Sequence, residues 1–455
     1  MMSEDKQMRH LLLDNRVVSK VVDARLVLGT VKKHLDNPLF PEDKPWEKRF
    51  DNLYANVLYD DEEQLYKCWY SPFIIDYSTL GMSMEQRRTI DYRAPRNREM
   101  AICYATSTDG LIWDKPDLGL VKYRGSTANN IVWRGEDGSR VLRAGPHGGG
   151  VFKDLNDPDP KRRYKALLKS KILSVAFSED GLHWDAPIEC PAANSAGDTH
   201  NNAFWAPTLG KYVGITRQWS KQWNRQVART TSDDFLNWTP TEVVLEGEKN
   251  FQTYSMPVFY HAGVYLGLLV IHDQTTDRVW TELTWSPDTE TWHRINEGTP
   301  FVANDGVEGC YDWGCVYVAA NPVFLDNEIR LYYGGSDGLH TSWRNSYFCL
   351  ATLRPDGFAG YRAEKAGSVE TITLSSGITE LCVTADIEPD GEVMVHAIGS
   401  NGEVIASSQS LTRTGTDIRI SWKGEGSEKM TGDTTSPAGL RFSISKATVY
   451  SFSIA

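Results

Sequence analysis

Three short runs concentrate carboxylates beside aromatic and hydrogen-bonding side chains. Trp46-Glu47-Lys48-Arg49-Phe50-Asp51 carries Glu47 and Asp51, Asp198-Thr199-His200-Asn201-Asn202 is an unbroken polar stretch, and Glu308-Gly309-Cys310-Tyr311-Asp312-Trp313-Gly314 carries Glu308 and Asp312. Each run stands just ahead of an apolar, strand-like segment. Paired carboxylates suit general acid–base or nucleophilic chemistry, in which one group donates a proton and the other attacks or activates water. Two carboxyls brought close also separate in proton affinity, so that one stays protonated near neutrality. Asp198, His200 and Asn201 suit recognition of sugar hydroxyls. His147, in Pro146-His147-Gly148-Gly149-Gly150, is followed by glycines that let a ligand approach the backbone.

The elements that must position these residues are visible as a repeat. Ser107-Thr108-Asp109-Gly110-Leu111-Ile112-Trp113 recurs as Ser178-Glu179-Asp180-Gly181-Leu182-His183-Trp184, with looser copies around Asp233 and Trp238, Asp288 and Trp292, and Asp356 and Phe358. The five copies are spaced by about 62 residues on average. Each Asp is expected to bond nearby backbone amides in a turn, and each aromatic to pack between sheets, which makes Asp109, Asp180, Asp233, Asp288 and Asp356 structural. A hairpin precedes each turn: Leu53 to Tyr59 with Leu65 to Tyr70, Gly150 to Phe152 with Arg163 to Leu168, Ala203 to Trp205 with Tyr212 to Ile215, Met256 to Tyr260 with Val264 to Ile271, and Val316 to Phe324 with Ile329 to Tyr333. Hairpin, third strand, turn and outer strand give a four-stranded unit per repeat, and five such units predict an all-β five-bladed β-propeller over residues 46–365. Every Trp but Trp422 lies at or before Trp343, and residues 366–455 read as a C-terminal β-sandwich with hairpin turns at Asp390-Gly391 and Asn401-Gly402. Residues 1–45 form an extension in which Ala24 to Val31 alternates like a strand that closes the ring or packs on the tail.

Composition narrows the function classes. The 455 residues carry 15 Trp, 20 Tyr, 15 Phe, 37 Gly and 20 Pro, which favours short strands and tight turns. The net charge of −12 opposes a nucleic-acid partner, and the basic run Lys161 to Lys171 reads as a solvated strand face. The longest apolar stretch, Val264 to Ile271, is far shorter than the ~20 residues of a membrane span, so no membrane partner is expected. Met1 to Lys6 lacks the charged-then-apolar pattern of a secretion signal, and a cytoplasmic location is the expectation. The 7 Cys are scattered without paired spacing, indicating neither a disulfide framework nor a zinc site, and no metal or cofactor is signalled.

With five repeats ending in Ser-x-Asp-Gly-x-x-Trp and a β-rich tail, the chain resembles the furanosidase-type five-bladed propeller glycosidases, particularly glycoside hydrolase families 32 and 43. The likeness is architectural. Asn156-Asp157-Pro158 falls in a hairpin turn rather than at the start of an inner strand, and Glu189-Cys190-Pro191 lies ahead of the third inner strand, so the family 32 motifs are not in place. The resemblance implies a site in a central funnel, reached by the starts of the inner strands and the ends of the next strands. It then implies Asp51 or Glu47 as nucleophile or base, Glu308 or Asp312 as acid, and Asp198 as the group that orients or tunes the acid. Arg217, His272, Asp273 and His340 fall at second-strand ends, where Arg217 would meet a carboxylate or an acidic sugar substituent. Trp205, Trp219, Trp223 and Trp313 are candidates to stack on a sugar face. The expected function is hydrolysis of a furanoside or related glycan, with a carbohydrate as partner. Its alternatives are a non-catalytic carbohydrate-binding propeller and a sialidase-like hydrolase, which would need an arginine cluster.

Overall fold

The recurrent turn is built as its residues require. Asp109 Oδ1 accepts from the N–H groups of Leu111 (2.8 Å) and Ile112 (2.9 Å) and from Ser107 Oγ (2.9 Å), Gly110 N–H donates to Ser107 Oγ (2.8 Å), and Trp113 Nε1 donates to Gly110 O (3.2 Å). Ser178, Asp180, Gly181 and Trp184 repeat this pattern, and Ser286, Asp288 and Trp292 do so with Thr289 in the glycine position. Two expectations need correction. In the third copy the turn carboxylate is Asp234, which accepts from Leu236 and Asn237 N–H, whereas Asp233 is exposed beside Lys211. In the fifth, Asp356 makes no such turn: its buried carboxylate accepts from Arg9 Nη1 (2.5 Å), His261 Nε2 (2.8 Å) and Ser451 Oγ (2.6 Å).

The computed structural model describes residues 8–78, 81–95, 98–135, 146–373, 380–423 and 439–454. The five repeats form a β-propeller of four-stranded antiparallel units. Blade 1 comprises Asn56–Asp60, Leu65–Tyr70, Ile102–Ser107 and Ile131–Trp133; blade 2 His147–Lys153, Tyr164–Lys169, Leu173–Ser178 and Ile188–Glu189; blade 3 Asn202–Ala206, Lys211–Trp219, Arg225–Ser232 and Glu242–Glu246. Blade 4 has an inner strand broken into Phe251–Ser255 and Val258–His261, then Val264–Asp273, Arg278–Ser286 and His293–Arg294. In blade 5, Cys315–Val318 and Val323–Phe324 pair with Ile329–Ser336, which pairs with Ser346–Leu353, and the outer position is filled by Lys32–Lys33 and Phe40–Pro41 from the start of the chain. The ring closes where Asn56 bridges Ala320.

Side chains fasten neighbouring blades. The turn of blade 2 docks on Trp69 of blade 1, whose Nε1 donates to Gly181 O (2.7 Å); Gly181 has φ +78°, and a Cβ there would stand 2.6 Å from the indole. Blade 1 docks on blade 5 likewise, Tyr332 Oη donating to Gly110 O (2.9 Å), and Arg229 of blade 3 donates to Thr289 Oγ1 (2.7 Å) in blade 4. Among the inner strands, Asn56 Nδ2 donates to Gly149 O (2.7 Å) while its Oδ1 accepts from Val151 N–H (3.1 Å), and a Cβ on Gly148 would lie 1.7 Å from Thr199 O. Apolar clusters between blades supply the bulk of the stabilisation, at roughly 1.5–3 kcal/mol for each Val, Leu, Ile or Phe fully buried.

After blade 5 the chain forms a β-sandwich branching at two long strands, Leu381–Ile398 and Gly439–Ile454. Asn401-Gly402 makes the expected hairpin turn into Val404–Ser407, whereas Asp390-Gly391 lies in a bulge, because the strand pairs with Gly439–Ile454 on both sides of it. The N-terminal segment serves both modules. Met8–Leu11, Val18–Val22 and Arg25–Leu28 pair with Gly439–Ile454, Gly367–Thr371 and Ala359–Ala363 in the sandwich, before the segment reaches blade 5. No helix among the described residues is long and apolar enough to cross a membrane.

Candidate functional site

One end of the propeller gathers the starts of the inner strands and the ends of the second strands. Ahead of the first inner strand, Asp51, Leu53 and Tyr54 adopt left-handed φ (+57°, +61° and +45°), so residues 51–54 coil at the mouth and the strand begins only at Asn56 rather than at Leu53. The coil aims Asp51 at two buried guanidiniums: Oδ1 lies 2.8 Å from Arg49 Nη2 and 2.9 Å from Arg344 Nη2. Burial alone would raise its proton affinity, but Arg49, Arg344 and Arg98 outweigh it and hold the carboxyl below the usual range. Asn52 organises the floor: its Oδ1 accepts from Arg344 (2.8 Å), and its two amide protons go to the hydroxyls of Tyr54 (2.8 Å) and Tyr254 (2.9 Å).

Across the mouth, Asp198 precedes the inner strand of blade 3, with Oδ1 3.0 Å from His147 Nε2 of blade 2. Its carboxyl is also held well below the ordinary range, since His147, Arg217 and Lys169 outweigh the effect of burial. The expectation that one of two converging carboxyls stays protonated is therefore corrected: both are ionised, because each faces cations rather than the other acid. Arg98 feels the charges of both Asp51 and Asp198, and it lines a cavity together with Asp198. Phe73, Arg98, Met100, His147, Lys169, Ser170 and Asp198 line its opening. The side chains of Asp51 (18% exposed) and Asp198 (39%) reach solvent there.

Blades 3, 4 and 5 complete the wall around Tyr254. The guanidinium carbons of Arg217 and Arg225 lie 4.6 and 4.9 Å from its ring centre, and 5.4 and 5.1 Å from that of Trp219. His340 meets the same ring edge-on at 4.9 Å and stands 2.7 Å through Nδ1 from Tyr317 Oη. His272 contacts His340 (4.3 Å between ring centres) and places Nε2 2.9 Å from Asp277 Oδ1. Burial, followed by the nearby Arg344, pushes the His340 imidazole far below its ordinary value, so it is neutral. Trp223 stands 75% exposed at the rim, its ring 6.1 Å from Trp219.

Other expected residues go elsewhere. Glu47 is sealed between blade 1 and the closing segment, 2.9 Å from Lys115 Nζ, and accepts from Tyr70 Oη (2.6 Å). Asp312 is sealed in blade 5, 2.7 Å from Lys33 Nζ of the closing strand, and accepts from Tyr333 Oη (2.8 Å). Both carboxylates are fully covered, which removes them as groups that touch a substrate. Glu308 is exposed on the loop before blade 5, and Trp313 is half-buried under Arg278. Trp205 lies at the far end of its strand, packed edge-on against Tyr212. Asn201 spends its amide on Gly148 O and Gly197 O, and its Oδ1 accepts from Thr216, so it ties strands together. His200 is buried under Tyr54 and 3.1 Å from Asn56 Oδ1; burial lowers it to about 3 and keeps it neutral. Asp273 caps its own turn through Thr275 N–H and Thr276 Oγ1. Glu189 sits on the outer strand of blade 2.

The residues that sequence reasoning missed are the cations and tyrosines of the wall: Arg49, Arg98, Arg225, Arg344, Tyr54, Tyr254 and Tyr317. A usable signal existed in the pairing of arginine with tryptophan at strand connections, as in Trp343-Arg344 and Trp223-Asn224-Arg225. Among the described residues no group of three or more His, Cys, Asp or Glu could hold a metal ion.

No protein-family model matches the chain, and no curated protein matches it. Solved structures do. A glycosyl hydrolase from Bacteroides ovatus aligns at 15% identity and TM-score 0.51 over 72% of this chain and 95% of that one. A β-1,2-mannobiose phosphorylase from Listeria innocua aligns at 11% and 0.49 over 71% and 97%, and the catalytic domain of a Coprinopsis cinerea GH62 α-L-arabinofuranosidase at 14% and 0.46 over 72% and 97%. The first of these alignments carries the likeness, which is one of fold.

Proposed function

We propose that the protein is a glycan-acting enzyme that hydrolyses a furanoside or related glycan at the propeller mouth. The carrying observation is that Asp51 and Asp198, ahead of the inner strands of blades 1 and 3, are both partly exposed and both act on Arg98. Ionised Asp51 is suited to attack the sugar carbon or to take a proton from water, and to stabilise the positive charge that develops on the ring. Since Asp198 is ionised as well, the leaving oxygen receives its proton from His147, which Asp198 orients across 3.0 Å. Trp219 and the exposed Trp223 offer apolar faces to neighbouring sugar units.

A non-catalytic sugar-binding propeller is the second reading, favoured by the lowered proton affinity of both Asp51 and Asp198. A hydrolysis screen on aryl furanosides, arabinan and fructan, run beside binding calorimetry, separates the two. Under the leading reading Asp51→Asn and Asp198→Asn each lower kcat by at least about 100-fold in protein that remains folded by circular dichroism. Asp312→Asn instead leaves kcat alone and lowers stability by about 1–3 kcal/mol through its lost contact with Lys33. Wild-type turnover in both site variants sinks the assignment, and binding without turnover supports the second reading.

A further inference from the structure

The mouth is cationic in a chain whose net charge is −12. Arg49, Arg98, Arg217, Arg225, Arg344 and Lys169 gather there, and the carboxylates near them include Asp51, Asp198, Asp277 and Glu42. Asp277 is taken up by His272 and by the N–H and hydroxyl of Thr341. Asp51 is shared between Arg49 and Arg344. Among the described residues Arg98, Arg217 and Arg225 have no carboxylate within ion-pair distance, although Arg217 is only 3% exposed.

Their hydrogen-bonding capacity is also unspent. Arg217 donates through Nη2 to Tyr254 O, and Arg225 through Nη1 to the neutral Gln252 (3.0 Å). The Nε groups of Arg49, Arg217, Arg225 and Arg344 are buried without an acceptor, as is Nη1 of Arg49. Two guanidiniums on the same pair of aromatic rings repel each other, and leaving buried N–H groups unpaired is costly, so folding alone gives no reason for the arrangement. A planar oxyanion removes both penalties, because guanidinium forks pair with carboxylate, sulfate or phosphate in two parallel hydrogen bonds.

We infer that the glycan carries an anionic substituent, a carboxylate or a sulfate, which Arg217 and Arg225 clamp over Tyr254, with Arg98 as a further cation beside Asp198. This inference rests on the glycan-acting reading of the site. Neutral sugars then bind more weakly than their acidic counterparts, since they leave the clamp unpaired. An acidic sugar also meets an attractive field at the mouth that neutral sugars do not feel.

Trp219, beside both guanidiniums, supplies a fluorescence readout for titrations of the full chain with glucuronate, galacturonate and glucose 6-sulfate, against glucose, galactose and inorganic phosphate. The expected result is that a uronate or the sulfated sugar binds at least about tenfold more tightly than its neutral counterpart. That preference should shrink with added salt, and Arg217→Gln and Arg225→Gln should each cost a further tenfold or so, with circular dichroism and unfolding unchanged. The ranking of carboxylate against sulfate identifies the substituent. Neutral glycans bound or turned over as well as acidic ones overturn the inference and leave the enzyme reading standing. Phosphate binding that depends on Arg217 and Arg225, without binding of any sugar, overturns the substrate and the glycan-acting reading together and leaves an oxyanion site. No binding of any probe overturns the clamp itself.

Discussion

Burial sorts the acidic side chains at this end of the propeller into different chemistries. Asp51 and Asp198 meet guanidiniums and imidazole at an open mouth and stay ionised, while Glu42 meets the opposite fate a few residues upstream. Its carboxyl accepts Phe50 N–H (2.5 Å) beneath the mouth, and burial, with Glu47 nearby, pushes it up to about 8 against the opposing pull of that hydrogen bond, Arg49 and Arg87. The unfolded carboxyl ionises near its ordinary value of 4.5, so between about pH 5 and 8 the folded state holds the extra proton and stability falls as pH rises. Glu42→Gln keeps the acceptor for Phe50 and should flatten this slope. Urea midpoints measured across the interval check it, and a wild-type slope retained by the variant would show that another group is responsible. Residues of this kind mark the limit of sequence reading. Asp51, Asp198 and His147 drew notice because each stands at or ahead of the start of an inner strand, and position along a repeat is a local property. Asp312 occupies the same kind of position and fails because its partner, Lys33, arrives from the far end of the chain. Arg98 and Tyr254 were not legible for the complementary reason: their meaning comes from what they face across the ring.

At the scale of the element, the Asp turn is both a terminator of the third strand and a peg for the neighbouring blade. Both jobs fall on the residue after the Asp, which takes a left-handed φ and a place against the adjacent sheet. Glycine meets these demands at Gly110 and Gly181, while Phe235 and Thr289 adopt the conformation with a side chain, at φ +64° and +68°, where the neighbour leaves room. Gly181→Ala should therefore cost more than conformational strain alone, about 2 kcal/mol or more, because its Cβ is driven into Trp69. Gly210→Ala, at φ +62° with nothing within 4 Å of the new Cβ, should cost about 1 kcal/mol. Denaturant unfolding of the two variants side by side checks the difference; equal costs would mean that Trp69 yields. The strand pairs were legible because alternation and turn chemistry repeat in every unit. The swap of Asp234 for Asp233 was not, since two adjacent acids offer the same local signal and only the hydrogen-bond pattern separates them.

For the whole molecule, the N-terminal segment makes the propeller and sandwich a single structural problem. Asp356 sits at the junction, gripping Arg9 from the segment, His261 from blade 4 and Ser451 from the last sandwich strand. Burial works against ionisation of Asp356, yet His261 and Arg9 hold its pKa below the ordinary value. Its contribution is present above the unfolded pKa and is lost as pH falls through the folded one. Asp356→Asn should reproduce that loss at neutral pH, lowering the thermal midpoint of both modules in calorimetry by several degrees, on the order of 4 °C per kcal/mol or less for a chain of this size. A midpoint that shifts for one module alone would argue that the junction does not couple them.

The early strands also have to wait. Residues 8–41 find their sheet partners only after residue 346. At roughly 5–20 residues per second of synthesis, that is a delay on the order of tens of seconds. During translation the segment has neither a blade nor a sandwich to join, while blades 1 to 4 can already stack. The outer edge of blade 5 and the edges of the sandwich then stay open until the segment returns, and unpaired edges of this kind are where nascent chains associate wrongly. Holding residues 8–41 clear of other chains until the tail emerges is therefore a demand that this topology places on the cell rather than on the folded protein.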